Sequence, residues 1–168
     1  MKRVYCFCCV ILVFLMLTAC DPGTYRLQEE AVSEDVVSVE LIQYDNPKQK
    51  KFTSWVPDHF KRLQDLKLSS ITVLETLPEE SLEPFLEQMS KQNILWHYYV
   101  FDSPKGLCIR VNYDSGDFLM ISTDYENESF CGYIGMYNAQ GEVTDFFGSF
   151  ESYRSFATLV SDYFDANL

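Results

Sequence analysis

Two thiols, Cys108 and Cys131, and two imidazoles, His59 and His97, are the side chains of this chain with the chemistry of a nucleophile and its base. A cysteine hydrolase would need one of these histidines within hydrogen-bond reach of one of these thiols. Their neighbours do not favour that reading. His59 stands beside Phe60, Lys61 and Arg62, and His97 lies within Trp96-His97-Tyr98-Tyr99, where a histidine on a half-buried strand is expected simply to pack. Asp124, Glu126 and Glu128 alternate as calcium-loop ligands do, but Ser129 stands at the glycine position and Gly135 at the bidentate glutamate position. A looser calcium site from Asp114, Asp117 and Asp124 competes with a reading as acidic turns, which we prefer, and no metal site is expected. The chain carries no Gly-x-Ser-x-Gly elbow, His-Glu-x-x-His pair, phosphate loop or dinucleotide fingerprint. No catalytic residue and no cofactor are therefore expected.

Recognition is the chemistry that remains. Trp55, Trp96, Tyr98, Tyr99, Tyr133 and Tyr137 fall on predicted strands or their ends, and each joins a rigid apolar ring to a polar handle. Tyr133 and Tyr137 share one side of a strand, with Ile134 and Met136 on the other. An outward tyrosine row, with Trp96 and Tyr98 nearby, would receive a peptide, a glycan or a basic partner protein. The competing arrangement turns the tyrosines into the core.

Leu17-Thr18-Ala19-Cys20 bears on where such a surface would act. Met1-Lys2-Arg3 makes a positive start, Val4 to Met16 is an unbroken apolar run, and small residues precede the cysteine. The pattern resembles the lipobox of bacterial membrane lipoproteins. The resemblance implies cleavage of a signal peptide spanning residues 1–19 and acylation of Cys20, giving a lipid anchor on the extracytoplasmic side of the cell membrane. An uncleaved span is the alternative, but Val4 to Ala19 falls short of the roughly 20 residues that cross a bilayer comfortably. Under either reading, Lys2 and Arg3 stay inside and the rest is exported. Asp21 resembles an inner-membrane retention signal if the host has two membranes.

Loss of Lys2 and Arg3 from the 13 basic residues leaves 11 against 25 acidic ones, a formal charge of −14. Such a field repels nucleic acid and anionic headgroups and would steer cationic proteins, peptides or divalent ions inward, but the reading we prefer is that the carboxylates serve solubility. Cys6, Cys8 and Cys9 leave with the signal, so Cys108 and Cys131 are the exported pair. The strand reading below places one strand between them, about 9.5 Å at ~4.8 Å per strand. A disulfide needs Cα atoms within roughly 7 Å, so two unpaired, partly buried thiols are expected unless the strand order differs.

Residues 20–35 read as a flexible spacer because Pro22-Gly23-Thr24, Gln28-Glu29-Glu30 and Ser33-Glu34-Asp35 are polar and charged. A single domain then fills 36–168. Val36 to Tyr44 predicts a strand ending at Asp45-Asn46-Pro47, Phe52 to Val56 a short return strand, and Pro57-Asp58 the start of a weak helix. Ser70 to Glu75 predicts another strand. Leu82, Phe85, Leu86 and Met89 mark one helical face, with Ser81 as N-cap and Pro84 in the first turn. Leu107 to Tyr113 and Phe118 to Ser122 form a hairpin about Asp114-Ser115-Gly116-Asp117, and Phe130 to Tyr137 and Glu142 to Phe147 form another about Asn138-Ala139-Gln140-Gly141. These four strands make a C-terminal meander. Tyr153, Phe156, Ala157, Val160 and Phe164 predict a closing helix capped by Ser149. The fold class is α+β, an antiparallel sheet with packed helices including a C-terminal one.

Val36 to Pro47, Asp102-Ser103-Pro104-Lys105-Gly106 with its strand, Gly132-Tyr133-Ile134-Gly135 and Gly148-Ser149-Phe150 resemble segments of small uncharacterised lipoproteins of Gram-positive bacteria. That resemblance implies no activity. The function expected is a non-enzymatic binding module at the cell envelope, meeting a protein, peptide or glycan through its sheet. Two alternatives are an acidic inhibitor or immunity-type protein that captures a cationic protein or peptide, and an envelope hydrolase built on the histidines.

Overall fold

Alternation along Ser38–Tyr44 sends Val39 and Leu41 to one face of a sheet and Ser38, Glu40, Ile42 and Tyr44 to the other, while a bulge at Val37 brings Val36 onto the same core as Val39. The computed structural model describes residues 24–26, 35–45, 65–95, 106–122, 133–150 and 153–165. They form β1 (Thr24–Arg26), β2 (Val36–Tyr44), β3 (Ile71–Thr76), α1 (Glu79–Ser90), β4 (Asn93–Leu95), β5 (Gly106–Tyr113), β6 (Phe118–Ser122), β7 (Tyr133–Tyr137), β8 (Val143–Phe150) and α2 (Tyr153–Tyr163). One antiparallel sheet runs in the order β1-β4-β8-β7-β6-β5-β2-β3, which makes β1 and β3 its edges. The fold is α+β, with the β5 to β8 meander at its centre.

Both helices cover one face. Phe85, Leu86 and Met89 of α1 and Leu159, Val160 and Phe164 of the α2 region share a core with Val39, Leu41, Ile109, Val111, Leu119, Ile121 and Ile134. Phe85 is edge-on to Tyr163 at 5.3 Å and to Phe164 at 5.8 Å, tying the two helices together. The opposite face holds a second core of Ile42, Tyr44, Leu66, Cys108, Phe118, Met120 and Tyr137. Each fully buried large aliphatic or aromatic side chain contributes about 1.5–3 kcal/mol.

Three local expectations change. The first helix starts at Glu79 with Pro78 at the N-cap, so Ser81 lies inside the first turn and its N–H donates to the Pro78 carbonyl at 2.9 Å. Glu79 and Glu80 then face the positive end of the helix dipole, and Pro84 sits in the helix interior, where it has no N–H for the carbonyl four residues back. Ser149 does not cap the last helix. It pairs with Tyr133 and Leu95 within β8, because that strand runs on to Phe150. Finally, Thr24–Arg26, within the stretch read as a spacer, forms β1 by pairing with Asn93–Leu95. Thr24 and Tyr25 follow Pro22-Gly23 and have the residue types that suit a strand, so even three residues cover the outer edge of β4. The signal segment, Cys20, the Phe52 to Val56 return strand and the helix opening at Pro57-Asp58 lie outside the described residues.

Candidate functional site

The edge strand β3 is positioned from both ends by backbone hydrogen bonds. Before it, Leu66 N–H donates to Gly141 O at 2.7 Å, Val143 N–H donates to the Asp65 carboxylate at 3.1 Å, and Lys67 N–H donates to the Tyr44 hydroxyl at 3.2 Å. A 3-10 turn, Leu68–Ser70, then leads into the strand, with Asp45 N–H donating to Ser70 O at 3.1 Å. After it, Leu77 N–H donates to Val39 O at 2.9 Å and buries Leu77 beneath the sheet. The strand between these anchors is fixed in place and thinly covered.

Thr72, Val73 and Leu74 are all exposed, Val73 at 45% and Leu74 at 52%. Three consecutive exposed residues bring both faces of a strand to water, because neighbours point to opposite sides. Leu41 pairs with Glu75 and Ile42 with Val73, which leaves Leu74 as the extra residue of a β-bulge. Among the described residues, β3 has one strand neighbour, β2. Its outer side therefore presents a row of backbone donors and acceptors beside two large aliphatic side chains.

Among the described residues around this strip, carboxylates outnumber cations. Residues 65–80 carry Asp65, Glu75, Glu79 and Glu80 against the single cation Lys67, and Asp45 lies beside Ser70. Glu75 accepts a hydrogen bond from Asp165 N–H at 3.2 Å, which joins β3 to the end of α2. A second concavity lies between the two helices, a cleft of about 460 Å³ lined by Gln88, Gln92, Thr158, Leu159, Asp162 and Tyr163. Its lining holds no cysteine, serine, lysine or histidine.

The structure corrects the outward tyrosine row. Tyr137 is 0% exposed, stacked on Phe118 at 5.5 Å in the second core, because that face is covered as fully as the helix face. Among the described residues its buried hydroxyl has no hydrogen-bond partner. Burial pushes the phenol well above the ordinary tyrosine range, with Cys108, Tyr44 and Asp65 adding to the shift. The Tyr133 backbone lies in β7 opposite Ser149, and its side chain falls outside the description. Trp55, Trp96, Tyr98, Tyr99, His59, His97, Asp124, Glu126, Glu128 and Cys131 lie outside the described residues. Cys108 is buried in the second core, its thiol directed at Gly106 O at 3.8 Å, and β6 separates β5 from β7. Among the described residues no three His, Cys, Asp or Glu side chains converge on a metal-sized site, and no helix is long and apolar enough to cross a membrane.

The β3 surface was missed at the level of sequence. Its signal is the adjacent apolar pair Val73-Leu74 inside a predicted strand, a patch of apolar surface that calls for cover. A scan of family models, a search of curated proteins and a search of solved structures returned no match to this chain.

Proposed function

We propose that this chain is a non-enzymatic binding module of the bacterial cell envelope, held at the membrane through lipid on Cys20, and that it meets its partner along the outer side of β3. The supporting observation is the exposure of Val73 and Leu74 on an edge strand whose ends are both anchored. Nothing in the folded core requires aliphatic side chains there, since serine or lysine would serve a solvated edge equally well. The Leu17-Thr18-Ala19-Cys20 pattern supports the anchor, and the absence of a catalytic motif in the sequence supports binding over chemistry.

The test uses the full chain with a C-terminal affinity tag in its native cells. Cys20→Ala should abolish acylation and leave a slower-migrating precursor; normal processing of that variant would remove the lipoprotein reading. A photo-crosslinker at Thr72 should capture one envelope component, and the Val73→Ser/Leu74→Ser double variant should lose it while keeping the wild-type melting temperature. Capture that is indifferent to the double variant, or no capture at all, would remove the β3 reading.

A further inference from the structure

Resting on the lipid at Cys20 in that reading, we infer that the pairing of β1 with β4 fixes the height of the domain above the bilayer and holds this edge of the sheet at the lipid headgroups. Only Asp21, Pro22 and Gly23 separate Cys20 from Thr24, the first residue of β1. Four residue steps span at most about 14 Å at ~3.6 Å each, whatever conformation they take. The headgroup layer outside the hydrocarbon is roughly 5–7 Å thick. With its acyl chains in the hydrocarbon, Cys20 sits at the inner boundary of that layer, so about half of the reach is used before the chain meets water.

Strand register sets which corner of the sheet is brought down. Thr24 pairs with Leu95, and Leu95 pairs in turn with Ser149, so the chain enters the sheet where β1, β4 and β8 lie side by side. Among the described residues β1 has one strand neighbour, and a headgroup surface this close restricts access to its free side. β3 lies seven strand spacings away, about 34 Å along the sheet at ~4.8 Å each. The tether that confines β1 leaves β3 free to meet a partner.

Without its pairing, β1 would no longer be the point of attachment. Among the described residues, the next one tied to the rest of the fold is Asp35, whose carbonyl accepts a hydrogen bond from Asp114 N–H at 2.8 Å. From Cys20 to Asp35 the chain can span up to about 50 Å. The ladder between Thr24–Arg26 and Asn93–Leu95 therefore decides between a domain held at the headgroups and one able to rise several times as far.

The test uses the full chain, produced in its native cells and reconstituted in phosphatidylcholine vesicles whose headgroups carry a quencher, with a fluorescent amino acid at the exposed Asn93. Mass spectrometry of the N-terminal peptide first reads the lipid on Cys20. The probe in the otherwise native chain should be strongly quenched. A glycine–serine linker of about twelve residues between Gly23 and Thr24 adds some 40 Å of reach and should remove most of the quenching. Hydrogen exchange at Asn93 to Leu95 should stay slow in that variant, because β1 remains paired. Thr24→Pro/Tyr25→Pro should also remove most of the quenching, but with faster exchange at Asn93 to Leu95. Adjacent N–H groups point to opposite sides of a strand, so one of the two prolines deletes a donor facing β4.

Weak quenching of the acylated native chain would overturn the inference. Quenching that survives the linker would overturn it by showing that the domain's own surface holds it down, and quenching indifferent to the prolines would do so by removing β1 from the tether. Should the proline variant not fold, the linker variant decides alone. A Cys20 without lipid would defeat the lipoprotein reading and this inference together, whereas any of the other adverse results with Cys20 acylated would defeat the inference alone. Crosslinking from Thr72 tests β3 independently of both.

Discussion

Arg110 and Glu40 face each other across β5 and β2 on the sheet side away from the helices, with Nε donating to Oε2 at 2.7 Å and a terminal nitrogen reaching the same oxygen. The guanidinium also lies 5.8 Å from the centre of the Phe118 ring. Both side chains are mostly withdrawn from water, at 19% and 15% exposure, so each charge depends on the other for solvation. The neighbouring row repeats the arrangement without charge, Asn112 donating to the Ser38 hydroxyl at 2.9 Å.

Arg110→Ala should therefore destabilise the fold by about 2–3 kcal/mol, below the full cost of breaking a completely buried pair because some water still reaches Glu40. Arg110→Ala/Glu40→Ala should recover part of that loss by removing the stranded carboxylate. Urea unfolding of the two single variants and the double variant measures the coupling. Strict additivity would show that the pair is solvated well enough to be dispensable.

Tyr137→Phe addresses the second core from within. Its buried hydroxyl has no partner among the described residues, so the phenylalanine variant should be at least as stable as the wild type, by up to about 1 kcal/mol. Burial raises the phenol in the folded state above the ordinary tyrosine value of about 10. Above that pH the unfolded chain releases this proton while the folded chain keeps it, so the folded state holds more protons and stability falls as pH climbs past about 10. The variant should lose that contribution and show a shallower decline in melting temperature from about pH 9.5 to 11. Identical slopes would mean that the hydroxyl finds a solvent route.

Gly141 and Gly106 offer a matched pair of turn substitutions. Both have positive φ, +83° and +68°, so alanine strains the backbone at either by about 1 kcal/mol. At Gly141 a Cβ would also lie 2.8 Å from Leu66 O and 3.0 Å from Leu68 Cδ2, where the approach to β3 docks on the β7–β8 turn; at Gly106 it would meet nothing within 4 Å. Gly141→Ala should lose about 2–3 kcal/mol and Gly106→Ala about 1 kcal/mol, read as denaturation midpoints. Faster hydrogen exchange at Leu66 and Lys67 should accompany only the first. Equal losses would show that Leu66 and Leu68 yield freely.

The parts of this fold that were legible in the sequence are those with a long enough period. Leu82, Phe85, Leu86 and Met89 repeat over two turns, and Leu107 to Tyr113 alternates through seven residues before a turn rich in Asp, Ser and Gly, so α1 and the β5–β6 hairpin fall where expected. β1 and β4 have three residues each, too few to show alternation, and only the free edge of β8 gives them a place. Tyr137 was ambiguous for another reason. Alternation tells which residues share a face but not whether that face is covered, and here Leu66, remote in sequence, is among the described residues packed with it. Ser81 and Ser149 were both good capping residues by type and were bypassed because the neighbouring element extended further than its hydrophobic pattern. The exposed edge at Val73 and Leu74 reflects the same limit: β propensity marks a strand without telling whether it has one neighbour or two.

The first short strand carries a prediction about where the folded unit begins. Thr24–Arg26 pairs with Asn93–Leu95, and Asp35 O accepts a hydrogen bond from Asp114 N–H at 2.8 Å at the other end of the 20–35 stretch. Deleting Asp21 to Asp35 removes both attachments and leaves β4, itself only three residues long, as the sheet edge. Net backbone hydrogen bonds contribute about 0.5–1.5 kcal/mol each, so the deletion should cost on the order of 2 kcal/mol, a fall of several degrees in melting temperature for a domain of this size. Hydrogen exchange should quicken at Asn93 to Leu95 and at Asp114, and remain unchanged at Ile109 and Ile121 in the middle of the β5–β6 ladder. Replacing Asp21 to Asp35 with a glycine–serine linker of equal length separates the two causes: a loss equal to that of the deletion would assign it to pairing by β1, whereas recovery by the linker would assign it to chain length and make β1 an incidental contact.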